Sequence, residues 1–155
     1  ISDVWIFRYH SNQLISLMIQ KSEKTLTPPR IQTSLFILYC HYTAYSLMSQ
    51  ELHHLPEQLA DIEFEATNSG PKANLDIHTI MNIDVSSDIK IDDVSAKIID
   101  SVMADINSLS DSELKTIIKQ DDVYLDAWEF GPGTVLDTND LINNYKEVIA
   151  VSLSR

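Results

Sequence analysis

Glycine is nearly missing from this chain. Three of its 155 residues are glycine, and each touches a Gly-Pro pair: Gly70 before Pro71, Gly131 before Pro132, and Gly133 just after. Phosphate loops, dinucleotide-binding turns and nucleophile elbows need glycine where the backbone turns sharply or approaches a ligand, so none of them is expected. Cysteine is scarcer still. Cys40 stands alone, which rules out an internal disulfide and reads as a small apolar residue of a reduced, cytoplasmic protein. Long apolar runs are lacking too. The longest, SLFILYC at 34–40, is far short of the ~20 residues of a membrane helix. The first residues show no basic start followed by a long apolar core, so neither a membrane span nor a secretion signal is expected.

Positive charge is the next deficit, and it is uneven. The formal net charge is -12. Residues 1–60 balance Arg8, Lys21, Lys24 and Arg30 against Asp3, Glu23, Glu51 and Glu57, so 19 of the 23 acids but only 7 of the 11 bases fall in 61–155. Such a half is repelled by phosphate, because nucleic-acid binding relies on Lys and Arg displacing counterions; direct nucleic-acid binding is not expected. An acidic face suits a basic partner, or simply keeps the molecule in solution.

No metal or cofactor site is expected either. Of the five histidines, His10, His41, His53, His54 and His78, none pairs with a second ligand at metal-site spacing, and the adjacent His53 and His54 would point about 100° apart in a helix. Cys40 and His41, as helix neighbours, do not face each other. A calcium loop starting at Asp84 would place Ile89 where glycine is needed and Ser95 where glutamate is needed, so that pattern fails. No spacing singles out a pair of acids for general acid–base work, and no catalytic residue is expected.

What is present is 44% hydrophobic and 22% charged residues, the composition of one globular domain over 1–155. DVWIFRYHSNQLISLMIQKSEK places Val4, Phe7, Leu14, Leu17 and Met18 mostly at helical spacing. Thr27 followed by Pro28 and Pro29 reads as an N-cap with proline in the first turn. The helix that follows carries Ile31, Leu35, Phe36, Leu38, Tyr39, Tyr42, Tyr45 and Leu47 on more than half its circumference, which predicts a central helix. Pro56 breaks the pattern, ADIEFEA alternates like a short strand, NLDIHTIMN predicts a weak helix, and VSSDIKIDD a second strand. Val94, Ile98, Val102 and Ile106 then mark an amphipathic helix that Asp92 or Asp93 can cap. Ser110 and Glu113 have capping-box spacing, and Asp137 or Thr138 can cap a last helix with Leu141, Ile142, Tyr145 and Ile149 turned inward. The expected fold is mainly α: a compact bundle of about five to six helices with one or two short strands.

Both Gly-Pro pairs follow an acidic-Ala-x-x-x-Gly-Pro pattern, Glu65-Ala66 to Gly70-Pro71 and Asp126-Ala127 to Gly131-Pro132. The residue before proline is pushed out of the helical basin, which predicts two extended corners joining helices, the second spanning VYLDAWEFGPGTVLDTND. That corner holds Tyr124, Trp128 and Phe130. Buried, they would anchor the loop, and burial is the expectation for Trp128; exposed, Trp and Tyr make binding hot spots. The candidate partner-binding residues are therefore Tyr124, Trp128 and Phe130 with the acids around the corners, Asp121, Asp122, Asp126, Glu129 and Glu65.

The order of these signals resembles the Panacea domain family, SocA-like and related to phage-associated GepA proteins. LTPPRIQTSLFILYCHYTAYSL resembles its LTPLKLQKLLYYAQGWHLA helix, and IEFEATNSGPKANLDIH its IEAWKYGPVVPELY segment. AKIIDSVMADINSLSDSELKTIIKQDDVYLDAW and GTVLDTNDLINNYKE are similar to its late helices. Thr67 and Ser69 stand where the family has a tryptophan and an aromatic. The resemblance implies a mainly helical, non-enzymatic domain that neutralises a toxin protein by direct contact or delivers it to a protease. The alternatives are a phage-encoded inhibitor of a host defence protein, of the anti-CRISPR or nuclease-inhibitor type, whose acidic surface mimics nucleic acid, and a hydrolase whose carboxylates have no identified position. The oligomeric state stays open.

Overall fold

A computed structural model describes residues 11–50, 62–74 and 93–153. Six helices and two short strands lie within them: α1 (Ser11–Lys21), α2 (Pro28–Gln50), β1 (Phe64–Thr67), β2 (Gly70–Ala73), α3 (Asp93–Asn107), α4 (Asp111–Lys119), α5 (Asp122–Phe130) and α6 (Thr138–Leu153). The mainly α bundle expected from the sequence is what forms. Val4, Phe7, Pro56 and nearly all of the segments read as a weak helix at 74–82 and a strand at 85–93 lie outside the described residues, as do all the histidines except His41.

α2 is the axle. It packs against α1, α3, α4, α6 and β2, because Ile31 and the run from Leu35 through Cys40 leave no polar face to turn to water; all of these are buried. It starts as the sequence predicts: two prolines occupy the first turn, Thr27 Oγ1 accepts from the Arg30 N–H, and the Thr27 carbonyl accepts from the Ile31 N–H. Phe36 meets Phe64 edge-on at 5.0 Å and Tyr145 at 6.4 Å, which joins α2 to β1 and α6 through one aromatic cluster. Leu14, Leu17 and Met18 of α1 and Ile99, Val102, Met103 and Ile106 of α3 complete the core. At α4 the capping box forms in full, with Ser110 accepting from the Glu113 N–H while the Glu113 carboxylate accepts from the Ser110 N–H. Asp137, rather than Thr138, caps α6 by accepting from the Asp140 N–H at 2.9 Å.

Neither Gly-Pro pair is a connector of the expected kind. The first belongs to a hairpin: β1 and β2 pair antiparallel with Thr67 opposite Gly70 and Ala66 opposite Pro71. In this register the N–H groups of Ala73 and of position 71 point away from β1. Ala73 donates to Gln32 Oε1 at 2.9 Å; Pro71 has no N–H to satisfy there, which is why proline is tolerated in this strand. Gly70 is required twice over. Its φ is +120°, and a Cβ at this position would stand 3.0 Å from Ile118 Cδ1, so the strand reaches α4 only without a side chain.

The second corner is largely helix. Asp121 accepts from the Tyr124 N–H at 3.0 Å and so caps α5, which runs through Trp128 and Phe130 to Gly131. Only the residues after it are extended, and they run back along β1. The Gly133 N–H donates to the Ala66 carbonyl, the Ala66 N–H to the Thr134 carbonyl and the Leu136 N–H to the Phe64 carbonyl, each at 2.8 Å. The two Gly-Pro segments, far apart in sequence, thus flank the same residue, Ala66, from opposite sides.

Candidate functional site

The hairpin has two flanks, and the described structure places a different kind of surface on each. On the β1 flank lies α5. Tyr124 is buried, its hydroxyl donates to the Thr67 carbonyl at 2.6 Å, and its ring stacks on Trp128 with a 15° interplanar angle. Trp128 is half-buried against the core, less than the burial expected of it. Phe130, by contrast, is 86% exposed. The three aromatics singled out in the sequence therefore divide: Tyr124 anchors, Trp128 braces, and Phe130 stands in solvent where the helix ends.

The acids around them divide as well. Asp122, Asp126 and Glu129 are exposed and recur at i, i+4 and i+7, one stripe of α5. Asp121 is occupied as the helix cap, and burial is the main reason its carboxyl sits above the usual range; the like charge of Asp122 adds to this, and hydrogen bonds from the Tyr124 and Val123 amides oppose it. Glu65 is half-buried in β1, opposite Lys72 of β2 on one side and Val135 on the other. No lysine or arginine occurs between Lys119 and Lys146, a stretch carrying Asp121, Asp122, Asp126, Glu129, Asp137 and Asp140. Leu125, Phe130 and Val135 are exposed apolar residues in this same stretch.

On the β2 flank is a cavity of about 440 Å³, walled by segments 28–33, 67–72 and 111–118. Reading the sequence missed it. Its floor is Arg30, which is 1% exposed. One guanidinium nitrogen donates to Asp111 Oδ1 at 2.6 Å, the other to the Ile106 and Leu109 carbonyls at 3.0 and 3.2 Å, and Nε finds no acceptor among the described residues. Arginine is almost never fully buried unless paired, so an arginine in the first turn of a helix that is apolar all round calls for a distant acid. That was the available signal, and Asp111, 81 positions on, is the answer. Segments 28–32 and 69–72 meet at this cavity.

The remaining groups are structural by their surroundings. Cys40 is fully buried and its thiol is pushed well up by that burial, away from reactivity. His41 packs edge-on against Tyr145 at 4.8 Å. Its Nδ1 lies 2.8 Å from the Ile37 carbonyl, an acceptor only, so Nδ1 carries the hydrogen, and burial lowers its affinity for a second proton. No group of three or more His, Cys, Asp and Glu side chains is placed to hold a metal among the described residues, and none of the described helices is long and apolar enough to cross a membrane. No model of a known protein family matches the chain, and no curated protein or solved structure matches it.

Proposed function

We propose that this protein is a binding module that holds a basic protein partner against α5, acting as a neutraliser or adaptor of a toxin in the manner the family resemblance implies. One observation carries the reading: a phenylalanine exposed to 86% at the end of a helix whose open stripe is acidic. A large exposed aromatic gains nothing for the monomer, whereas burying it in a partner's pocket is worth about 2 kcal/mol or more, as central aromatic anchors are. The acidic stripe then selects a positively charged rim and speeds the encounter.

A second reading is favoured by the base-free stretch from 120 to 145: the acids imitate a phosphate backbone and block a nucleic-acid-binding defence protein. The two readings differ in salt dependence. A phosphate mimic competes with nucleic acid and loses affinity steeply with salt, whereas an interface centred on Phe130 keeps most of its strength.

The test places a photo-crosslinking phenylalanine analogue at position 130, with the same analogue at exposed Lys97 as the control, in cells of the native host. A protein captured at 130 and not at 97 is then purified and its affinity measured at low and high salt. Phe130→Ala is expected to weaken binding by about tenfold or more, and charge reversal of Asp126 and Glu129 to slow association. Unchanged affinity of the Phe130→Ala variant for that protein refutes the reading.

A further inference from the structure

The cavity on the β2 flank is opposite in sign to the rest of the molecule. In a chain of net charge -12 its lining carries Arg30, Lys72 and Lys115 against one acid, Asp111, which Arg30 already engages. Lys72 and Lys115 are exposed and make no ion pair among the described residues. The N-terminal turns of α2 and α4 both border the cavity, and the positive ends of their dipoles add to the same field.

A second observation is independent of charge. Three buried side-chain atoms have no hydrogen-bond partner among the described residues, and two of them, Arg30 Nε and Gln32 Nε2, belong to side chains that line this cavity. Both are donors. For Gln32 the reason is visible: the Ala73 N–H needs an acceptor, so the amide oxygen turns to it and the NH₂ group is forced to the other side. A buried donor without an acceptor costs about 1–3 kcal/mol, so the wall beneath the cavity is held at a local cost.

We propose that this cavity binds a small organic oxyanion, a carboxylate or phosphate on an apolar body, with Lys72 and Lys115 at the charged group. The apolar body is called for by Pro28, Pro29, Pro71 and Ile118, which make up much of the wall. A volume of about 440 Å³ lies in the range of small-molecule sites, roughly 300–1,000 Å³. The site is separate from the α5 surface and does not depend on the partner-binding reading.

Amide resonances of the whole protein would be followed during titration, at constant ionic strength, with benzoate, phenyl phosphate and neutral benzyl alcohol. At least one anion is expected to shift Gly70, Lys72, Ser112 and Lys115 saturably, with a dissociation constant of about 1 mM or tighter; which anion does so separates a carboxylate from a phosphate ligand. Benzyl alcohol is expected to leave those resonances in place. Replacing both lysines (Lys72→Gln with Lys115→Gln) changes only exposed side chains, so the fold survives, and binding is expected to fall about tenfold or more. Failure of both anions to bind, equal binding of benzyl alcohol, or undiminished binding by the double variant overturns the proposal.

Discussion

The two flanks of one four-residue hairpin differ in almost every physical respect. The β1 flank is negative and largely satisfied: Tyr124 and Asp121 have their hydrogen bonds, and what remains open is Phe130 and a stripe of carboxylates. The β2 flank is concave and positive, and it leaves two buried donors without acceptors among the described residues. Charge that is merely solubilising has no reason to sort itself this way. The contrast shows that the hairpin is a partition as well as a piece of the core. It sits against α2 and α4 on one side and α5 on the other, and each side is held by a different polar group: Gln32 of α2 accepts from the Ala73 N–H, and Tyr124 of α5 donates to the Thr67 carbonyl.

The hardest way to break the contrast is to remove Arg30. Losing one member of a buried ion pair costs about 3–5 kcal/mol when the remaining charge is stranded. Here Asp111 has a side chain 63% exposed, so it returns to water. The Ile106 and Leu109 carbonyls also keep other donors, the Leu109 N–H and Lys24 Nζ respectively. Arg30→Ala is therefore expected below that range, at about 2–3 kcal/mol for the lost hydrogen bonds and the packing of its buried stem, read as a fall in the urea midpoint at unchanged slope. A loss below about 1 kcal/mol would mean that the cavity floor does not depend on this pair.

Next in size is Gly70. Alanine there must adopt φ near +120° and displace Ile118, a side chain that is itself buried, so Gly70→Ala is expected to cost about 1–3 kcal/mol. Gly131→Ala is the companion measurement. Its φ of +156° with ψ of +151° lies in a region confined almost entirely to glycine, so alanine is strained there by about 1–3 kcal/mol, although the nearest atom to a new Cβ, Thr134 Oγ1, is a comfortable 3.9 Å away. Both positions share the backbone strain, and only Gly70 adds the approach to Ile118; a cost at Gly70 no larger than at Gly131 would mean that this approach contributes nothing.

These positions also show what can and cannot be read from residue order. Ser110 with Glu113, the four-residue recurrence along α3, and the two prolines ahead of an all-apolar helix are local signals, and each produced the element it predicts. α5 was obscured because only Tyr124 and Ala127 of its nine residues are buried, too few for a visible stripe, and the Gly-Pro pair behind it dominates the pattern. The hairpin was half visible: alternation marked β1, but Gly70-Pro71 as a strand depends on α4 lying across it, and no local pattern contains that contact. The cavity is not local at all. It takes three segments from 28 to 118, and in a charge count Arg30 is one of four bases cancelled by four acids. The aromatic candidates were found together yet were separable only in three dimensions, because the helix turns Tyr124 and Phe130 to different sides.

The smallest expected effect probes the acidic flank itself. Asp121 caps α5, but its carboxyl lies above the usual aspartate range because burial disfavours the charged form, with Asp122 adding to the penalty. A carboxyl whose folded-state pKa exceeds the unfolded value of 3.8 favours folding most when protonated: its contribution is complete below that value and is lost as pH rises through the folded one. At neutral pH the charge is therefore held at a cost. Asp121→Asn keeps the oxygen that accepts from Tyr124 and drops the charge, so the variant should be slightly more stable at pH 7, by about 0.5 kcal/mol or less. The difference should close as the pH falls below 4. Urea unfolding at pH 7 and pH 3.5 measures both arms. A variant less stable than the parent at pH 7 would mean that the helix dipole rewards the charge and that α5 is acidic for its own sake. A more stable variant shows the reverse: at this position the folded state holds a charge that folding does not repay.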